Sequence, residues 1–192
     1  MIIGIPKGDL QEIAMKALGL TLERFHPRQL YFDRRPLEVL LVKTKDVMSM
    51  VAEGEVDVGV TCTAYREEWA LASSLTESEM VRHFTTVPIP VTRPWSVSLL
   101  CLVEQQNDVP VKIFTEFGSI VRVEFPDAVV RVVGGSVEAH VRAQNAWGVT
   151  IVSSGETAAV NGLTCVGVLR LVVPCLVYQK NNVGARKFLG HR

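Results

Sequence analysis

The alternation of apolar runs predicts an α/β protein built in two similar halves. Three observations carry this. Strand-like and helix-like segments alternate over roughly the first 75 residues, as in βαβ units with a mostly parallel sheet. The stretch from Val87 to Pro94 then holds three of the nine prolines and reads as a crossover or hinge. A second series of strands and helices follows it.

Taken in order, Ile2 to Ile5 reads as a buried strand that breaks at Pro6 and Gly8. Asp9 stands where it can cap a helix running from Leu10 to Leu18. Leu20 to Phe25 and Gln29 to Asp33 read as strands around His26-Pro27. Leu37 to Val42 is a strand. Thr44 then caps a helix from Lys45 to Glu53, with Val47, Met48 and Val51 on one face and Gly54 as its stop. Val56 to Thr61 is another apolar strand, followed by a polar turn and a helix through Trp69. Beyond the hinge, Val97 to Val103 and Val111 to Phe114 read as strands and Ser119 to Phe125 as a helix. The strand Val129 to Val133, the helix Ser136 to Gln144 and the strand Gly148 to Val152 follow. The Val/Leu-rich run from Val166 to Tyr178 suits a central strand or an oligomer edge. The tail from Asn181 to Arg192 is polar, and either frayed or helical. Ligands of such folds bind at the carboxyl ends of strands, in the cleft between halves.

Composition narrows the function. The chain has 192 residues, 48% of them apolar, so there is ample material for a core. Mean hydropathy is +0.24. Lys+Arg and Asp+Glu number 20 each, which argues against a broad nucleic-acid or anionic-membrane footprint and leaves room for a local anion pocket. The opening residues lack the basic start and long apolar core of a signal peptide, and no apolar run reaches the length of a membrane span. Cys62, Cys101, Cys165 and Cys175 lack Cys-x-x-Cys spacing and read as reduced thiols of a cytoplasmic protein. His26, His83, His140 and His191 are scattered, so no metal site is expected from zinc-ligand spacing.

Chemistry concentrates in the run from Gly148 to Gly162. An apolar strand ends in Ser153-Ser154-Gly155-Glu156-Thr157, and a helix former follows. A small, hydroxyl-rich turn at a helix N-terminus offers backbone N–H groups, hydroxyl donors and the positive end of the dipole, the elements of a phosphate cradle. It also serves as a well-capped turn with no ligand. Neither the P-loop nor the dinucleotide fingerprint is present. Gly134-Gly135-Ser136-Val137-Glu138 is a second strand-to-helix turn, with Ser136 at the cap. Pro6-Lys7-Gly8 is a third, where Lys7 can present a cation to a phosphate.

With these residues in view, the chain resembles a known family. The blocks IPKGDLQE, LEVLLVKTKDV, VDVGVT, KIFTEFGSIVRVEF, GSVEA and IVSSGETAAVNGL are similar to those of the catalytic subunit of ATP phosphoribosyltransferase, in the family's order. The length resembles the short form, which lacks a C-terminal regulatory domain and works with a partner subunit related to histidyl-tRNA synthetase. The resemblance implies a two-lobed fold of periplasmic-binding-protein type (type II), with two mixed or parallel sheets flanked by helices and a cleft between. Residues 1–90 with 166–192 would form domain I, and residues 91–165 domain II with the phosphate loop. It implies the first step of histidine biosynthesis: N1 of ATP attacks C1 of phosphoribosyl pyrophosphate and expels pyrophosphate, with Mg²⁺ assisting, in a cytoplasmic homo-oligomer.

The carry-over is residue by residue. Ser153, Ser154, Gly155 and Thr157 match the family's loop for the 5-phosphate, with Glu156 and Thr150 beside them. Gly135, Ser136 and Glu138 match its GSVE turn. Lys7 and Gly8 match its opening turn, and Lys43 a basic position after a strand. Asp46 and Asp57 fall on common acidic positions. No individual residue is assigned as catalytic, and none as a metal ligand.

The chain also departs from the pattern. The family carries two aspartates before the loop that hold the ribose hydroxyls; here those positions are Ala146 and Thr150. The opening Lys-Gly-Arg is Lys7-Gly8-Asp9, the turn after Val60 is Cys62-Thr63-Ala64, and loop position 156 is Glu. Each lost charge-assisted hydrogen bond costs on the order of 1.5–3 kcal/mol, so two cost about a hundredfold or more in transition-state binding. Three functions follow: an active ATP phosphoribosyltransferase; a diverged non-catalytic paralogue that binds a phosphorylated ligand or serves as a regulatory or assembly subunit; or an enzyme using the same fold on another phosphorylated substrate. Trp69, Trp95 and Trp147 read as packing anchors, Arg34-Arg35 as a solvated turn, and His140 as a helix-surface or core residue. Arg82 and Arg93 are modest candidates for phosphate contacts near the hinge.

Overall fold

The computed structural model describes residues 1–21, 29–93 and 95–190. The expected strand from Leu20 to Phe25 and the His26-Pro27 turn lie almost wholly outside the described residues, as do Pro94 and His191. The described chain forms two compact units, Met1–Val91 with Val173–Arg192, and Thr92–Val172.

The first unit is a six-stranded sheet. Its strands are β1 (Ile2–Pro6), β2 (Tyr31–Arg34), β3 (Leu37–Val42), β4 (Val58–Cys62), β5 (Phe84–Pro88) and β11 (Pro174–Gln179), in the order β2-β3-β1-β4-β11-β5. β3, β1 and β4 run parallel, whereas β2, β11 and β5 are antiparallel to their neighbours, so the sheet is mixed rather than mostly parallel. Alternation sends Ile3, Ile5, Val58, Val60 and Leu176 to one face, under α1 (Asp9–Leu18) and α8 (Val183–Gly190). The other face meets α2 (Val47–Glu53), α3 (Thr63–Ala72) and α4 (Glu77–His83) through Val51, Ala70, Met80 and Val177.

Several local expectations are corrected. Asp9 does not cap α1: Gly8 holds the cap position and Asp9 is the first helical residue. Gly8 has φ 86° and ψ −150°, a region that glycine alone enters readily, so the chain turns into the helix one residue earlier than its acidic residue suggests. Thr44 does not cap a long helix: Thr44–Asp46 is a 3₁₀ turn, and α2 starts at Val47. Val87 and Pro88, expected in the hinge, complete β5.

The second unit is a five-stranded sheet of β6 (Trp95–Leu102), β7 (Lys112–Thr115), β8 (Val129–Val132), β9 (Trp147–Val152) and β10 (Leu163–Val172), in the order β10-β6-β9-β7-β8. β7, β8 and β9 are parallel, and β6 runs antiparallel to both β9 and β10. Helices α5 (Gly118–Glu124), α6 (Val137–Gln144) and α7 (Glu156–Val160) complete it. The core gathers Leu100, Phe114, Val137, Val141, Ala158 and Leu163. The run from Val166 to Tyr178 is two strands in two sheets: β10 is an edge strand here, and β11 lies between β4 and β5 in the first unit. The return to the first unit therefore falls at Val173 rather than at 166, because β10 stays paired with β6 through Val172↔Trp95.

Candidate phosphate site

The loop after β9 leads into α7. Gly155 stands at the α7 cap with φ 79° and its carbonyl accepts from Ala159 N–H at 3.0 Å. Ser154 Oγ accepts the backbone N–H of Glu156 at 3.3 Å, and Thr157 carbonyl accepts the Asn161 amide at 2.8 Å. These bonds fix the turn.

Above the loop is a recess of about 40 Å³ lined by Glu138, Ser153, Ser154, Gly155 and Thr157, with Ile151, Val152 and Ala158 as its apolar wall. Glu138 comes from the first turn of α6, which follows β8 through the Gly134-Gly135-Ser136 turn. Both the loop and this turn leave the carboxyl ends of parallel strands, the end where α/β folds bind ligands. Close packing sets the distance between them. A Cβ on Gly148 in β9 would lie 2.5 Å from Val141 Cγ2 and 2.9 Å from Val137 Cγ1, so only glycine lets α6 lie this near the sheet.

The other expected residues divide. Thr150 is buried on the α6-covered face of β9, opposite Ser98, and is not part of the recess wall. Ser98 Oγ lies 2.7 Å from Ser96 Oγ on the neighbouring strand. Ala146 is 3% exposed and packed with Val137, Val141 and Phe114 before the start of β9. A carboxylate there would sit in an apolar cluster, far from the loop at the other end of the strand. Glu156 and Ser136 are exposed and Gly135 half-buried, all three outside the recess wall; Ser136 has φ 54° and makes no side-chain cap bond.

Lys7, Gly8 and Lys43 belong to the first unit. The register Pro6↔Val42 and the Lys7 N–H to Val42 carbonyl bond of 3.2 Å bring the two exposed lysines side by side at the carboxyl ends of β1 and β3. Asp57 has a structural part: its Oδ2 accepts Ile2 N–H at 2.8 Å and its Oδ1 accepts the Asn182 amide at 2.9 Å. Asp46 is exposed in the 3₁₀ turn.

His140 stacks on Phe114 at 5.1 Å, with Lys112 Nζ 4.9 Å from the centroid of the same ring, and takes no part in the recess. Trp95 and Trp147 are buried. Burial pushes the Cys62 thiol up to about 11, and burial followed by the neighbouring Cys62 pushes Cys175 to about 12, so both stay protonated at neutral pH. Sequence reading missed Thr61, whose fully buried hydroxyl has no hydrogen-bond partner, and Arg66, whose guanidinium clasps Glu77 at 2.7 and 3.1 Å. Among the described residues no group of three or more His, Cys, Asp or Glu is arranged to hold a metal, and no helix is long and apolar enough to cross a membrane.

Comparison with known proteins gives a consistent result. The sequence model of the family described as ATP phosphoribosyltransferase (HisG) matches residues 43–189. No curated protein sequence matches the chain. Among solved structures, the fold is similar to the ATP phosphoribosyl transferase (HisG:HisZ) complex from Thermotoga maritima, with TM-score 0.72, 20% identity, and coverage of 100% of this chain and 94% of that one. It is also similar to a mutant of ArgBP from T. maritima, with TM-score 0.63, 11% identity and coverage of 100% and 86%. The regulatory domain of HypT from Salmonella typhimurium follows with TM-score 0.52, 10% identity and coverage of 100% and 92%. These likenesses give a type II periplasmic-binding-protein-like fold of two mixed sheets with helices. With the family model spanning most of its length, the chain belongs to the ATP phosphoribosyltransferase family.

Proposed function

We propose that the chain is a catalytic subunit of the short form, transferring the phosphoribosyl group of phosphoribosyl pyrophosphate to N1 of ATP. The observation that carries this is the recess in which Glu138 joins Ser153, Ser154, Gly155 and Thr157. The loop hydroxyls and N–H groups suit the 5-phosphate, and Glu138 supplies a carboxylate for the ribose hydroxyls in place of those missing at 146 and 150. The reaction forms a C1–N1 bond and breaks the bond from C1 to pyrophosphate. Its oxocarbenium-like centre needs positioning and charge stabilisation rather than a protein nucleophile. Within the first unit, Lys7 and Lys43 are cations available to a nucleotide phosphate, with Gly8 between strand and helix leaving room for approach. Mg²⁺ would be carried mainly by the pyrophosphate, with Glu138 the carboxylate available to it, and would neutralise charge on the leaving group. Likeness to the HisG:HisZ complex supports a partner subunit in the working assembly; the family resemblance adds a homo-oligomer, a regulatory partner related to histidyl-tRNA synthetase and a cytoplasmic setting to the proposal.

Calorimetric titration with phosphoribosyl pyrophosphate and Mg²⁺, then with ATP, tests the reading. Micromolar binding that falls at least tenfold in Gly155→Asp and Glu138→Gln is the expected result, with the melting temperature unchanged in Glu138→Gln and lowered by a few degrees in Gly155→Asp, whose φ of 79° strains any side chain. Turnover is then measured with a partner subunit added. A folded sample that binds no ligand up to millimolar concentration, with or without the partner, overturns it. Thr150 under α6 and Ala146 in the core favour the second reading, a non-catalytic paralogue that keeps the phosphate turn. Tight binding with no turnover in the presence of the partner would select that reading.

A further inference from the structure

The first unit has a concavity of its own, at the end of its sheet opposite Lys7 and Lys43. Because β11 is antiparallel to β4 and β5 to β11, Gln179 and Phe84 pair at the amino-terminal end of the parallel strands. Five residues of strand, about 17 Å, separate that end from the lysines. The groove there has a volume of about 590 Å³, within the range of small-molecule sites.

Its walls are of two kinds. Trp69, Leu75 and Phe84 form an apolar floor, and Arg82, His83 and Lys180 line its rim. Trp69 is held in place: its indole N–H donates to Ser49 Oγ at 3.1 Å, and its ring meets Phe84 edge-on at 5.7 Å. Among the described residues no carboxylate lines the groove. Glu79, one turn before Arg82 and His83 on α4, accepts from Thr76 N–H and Oγ–H at 2.7 Å each and also feels both cations, but it does not line the groove.

Two helices end here, and their negative ends would oppose an anion. Both are answered by protein groups. The Gln179 side-chain amide donates to the carbonyls of Val51 and Ala52 at 2.8 and 3.0 Å, closing α2. At α4 the Lys180 N–H donates to His83 carbonyl at 2.8 Å, and one Lys180 Nζ proton goes to Val81 carbonyl at 3.3 Å. Dipole compensation accounts for one cation. Arg82 and His83, in the last turn of α4, answer the same dipole, but none of this accounts for the aromatic-floored cavity the three cations surround.

We propose that this groove is a second binding site, for a small organic anion with a flat apolar body: the body lies on Trp69 and Phe84 while the anionic group meets Arg82, His83 and Lys180. It shares no residue with the phosphate recess and stands whether or not the chain is catalytic.

The probe series is phenyl phosphate, benzoate, inorganic phosphate and benzylamine, read in ¹⁵N–¹H spectra at the Trp69 indole N–H, assigned with Trp69→Phe. The expected result is a saturable shift with phenyl phosphate or benzoate, whichever anion the site prefers. Affinity for inorganic phosphate is at least tenfold weaker, and benzylamine gives no shift. Arg82→Glu and Lys180→Glu, both exposed positions, each weaken binding at least tenfold without lowering the melting temperature, whereas Gly155→Asp leaves the Trp69 response unchanged. No saturable shift with either aryl anion, an equal shift with benzylamine, or full binding by both charge-reversed variants overturns the proposal. Failure of the phosphate recess would instead appear in the Gly155→Asp titration and leave the Trp69 signal intact.

Discussion

Replacing Gly148 by alanine tests the packing that holds Glu138 over the phosphate loop. The added methyl would meet Val141 Cγ2 at 2.5 Å and Val137 Cγ1 at 2.9 Å. Ordinary carbon contacts lie near 3.5–4.0 Å, so α6 must withdraw by about 1 Å. The two valines stand one turn apart on the same helix face, and valine has essentially one χ1 rotamer in a helix, so rotation relieves neither clash. Overpacking of this kind costs about 1–3 kcal/mol, which lowers the melting temperature by roughly 2–12 °C in a chain of this size. Differential scanning calorimetry and urea unfolding measure it. Glu138 follows Val137 directly, so a 1 Å retreat of α6 also opens the recess; a misplacement of that size costs up to about a hundredfold in catalysis. Val141→Ala removes the nearer clash. The double variant therefore regains part of the loss, although Val141→Ala alone destabilises by leaving a void. If Gly148→Ala melts within about 1 °C of the parent and binds phosphoribosyl pyrophosphate equally well, the argument from close approach is wrong.

Two further outcomes follow from the bonding. Asp57→Ala removes the acceptor that joins Ile2 N–H to the Asn182 amide, and urea unfolding should report a loss of about 3–6 kcal/mol from two hydrogen bonds to a charged group. A thiol reagent at pH 8 should label exposed Cys165 quickly, and buried Cys62, Cys101 and Cys175 only as the chain unfolds; four fast thiols would contradict the burial. The raised thiol values of Cys62 and Cys175, about 11 and 12 against an ordinary 9.0, set the sign of the alkaline response. Their stabilisation is full below pH 9, where both states are protonated, and is lost as pH rises from about 9 towards 11 and 12, where only the unfolded chain ionises. Unfolding midpoints from pH 8 to 11 should fall less steeply in a Cys62→Ala/Cys175→Ala variant than in the parent.

Much of the scaffold was legible because single residues carry strong local rules. Gly54 ends α2 in the left-handed conformation that its position after an amphipathic run suggests. The Ser153–Thr157 turn was visible because an apolar strand, small residues and a helix former meet there. Other features needed tertiary context. The 3₁₀ turn at Thr44 follows from the exit of β3, which a capping rule does not see. Helix α4 was missed although its signature was in plain view: Thr76 and Glu79 form a capping box, with both reciprocal bonds made. The Val/Leu-rich run from 166 to 178 has no change of period to mark where one sheet ends and the other begins; Val173-Pro174 does that. Glu138 was singled out only through its motif, and what unites it with the loop is the glycine beneath α6.

The position of β11 has a consequence for synthesis. The chain leaves the first unit once and returns once, so residues 92–172 form one continuous insertion. Their sheet can be complete once residue 172 has emerged from the ribosomal tunnel, before Pro174–Gln179 has followed it. Until that segment emerges, β5 has no neighbour, and β4 presents an open edge of buried-type residues. The inserted unit can thus fold without the returning strand, whereas the first unit cannot complete its sheet, although it starts the sequence. During that interval β4 and β5 are the segments a chaperone or a second nascent chain would capture. Arrest peptides placed to release before and after residue 179 should show the first unit acquiring protease resistance only in the longer chain.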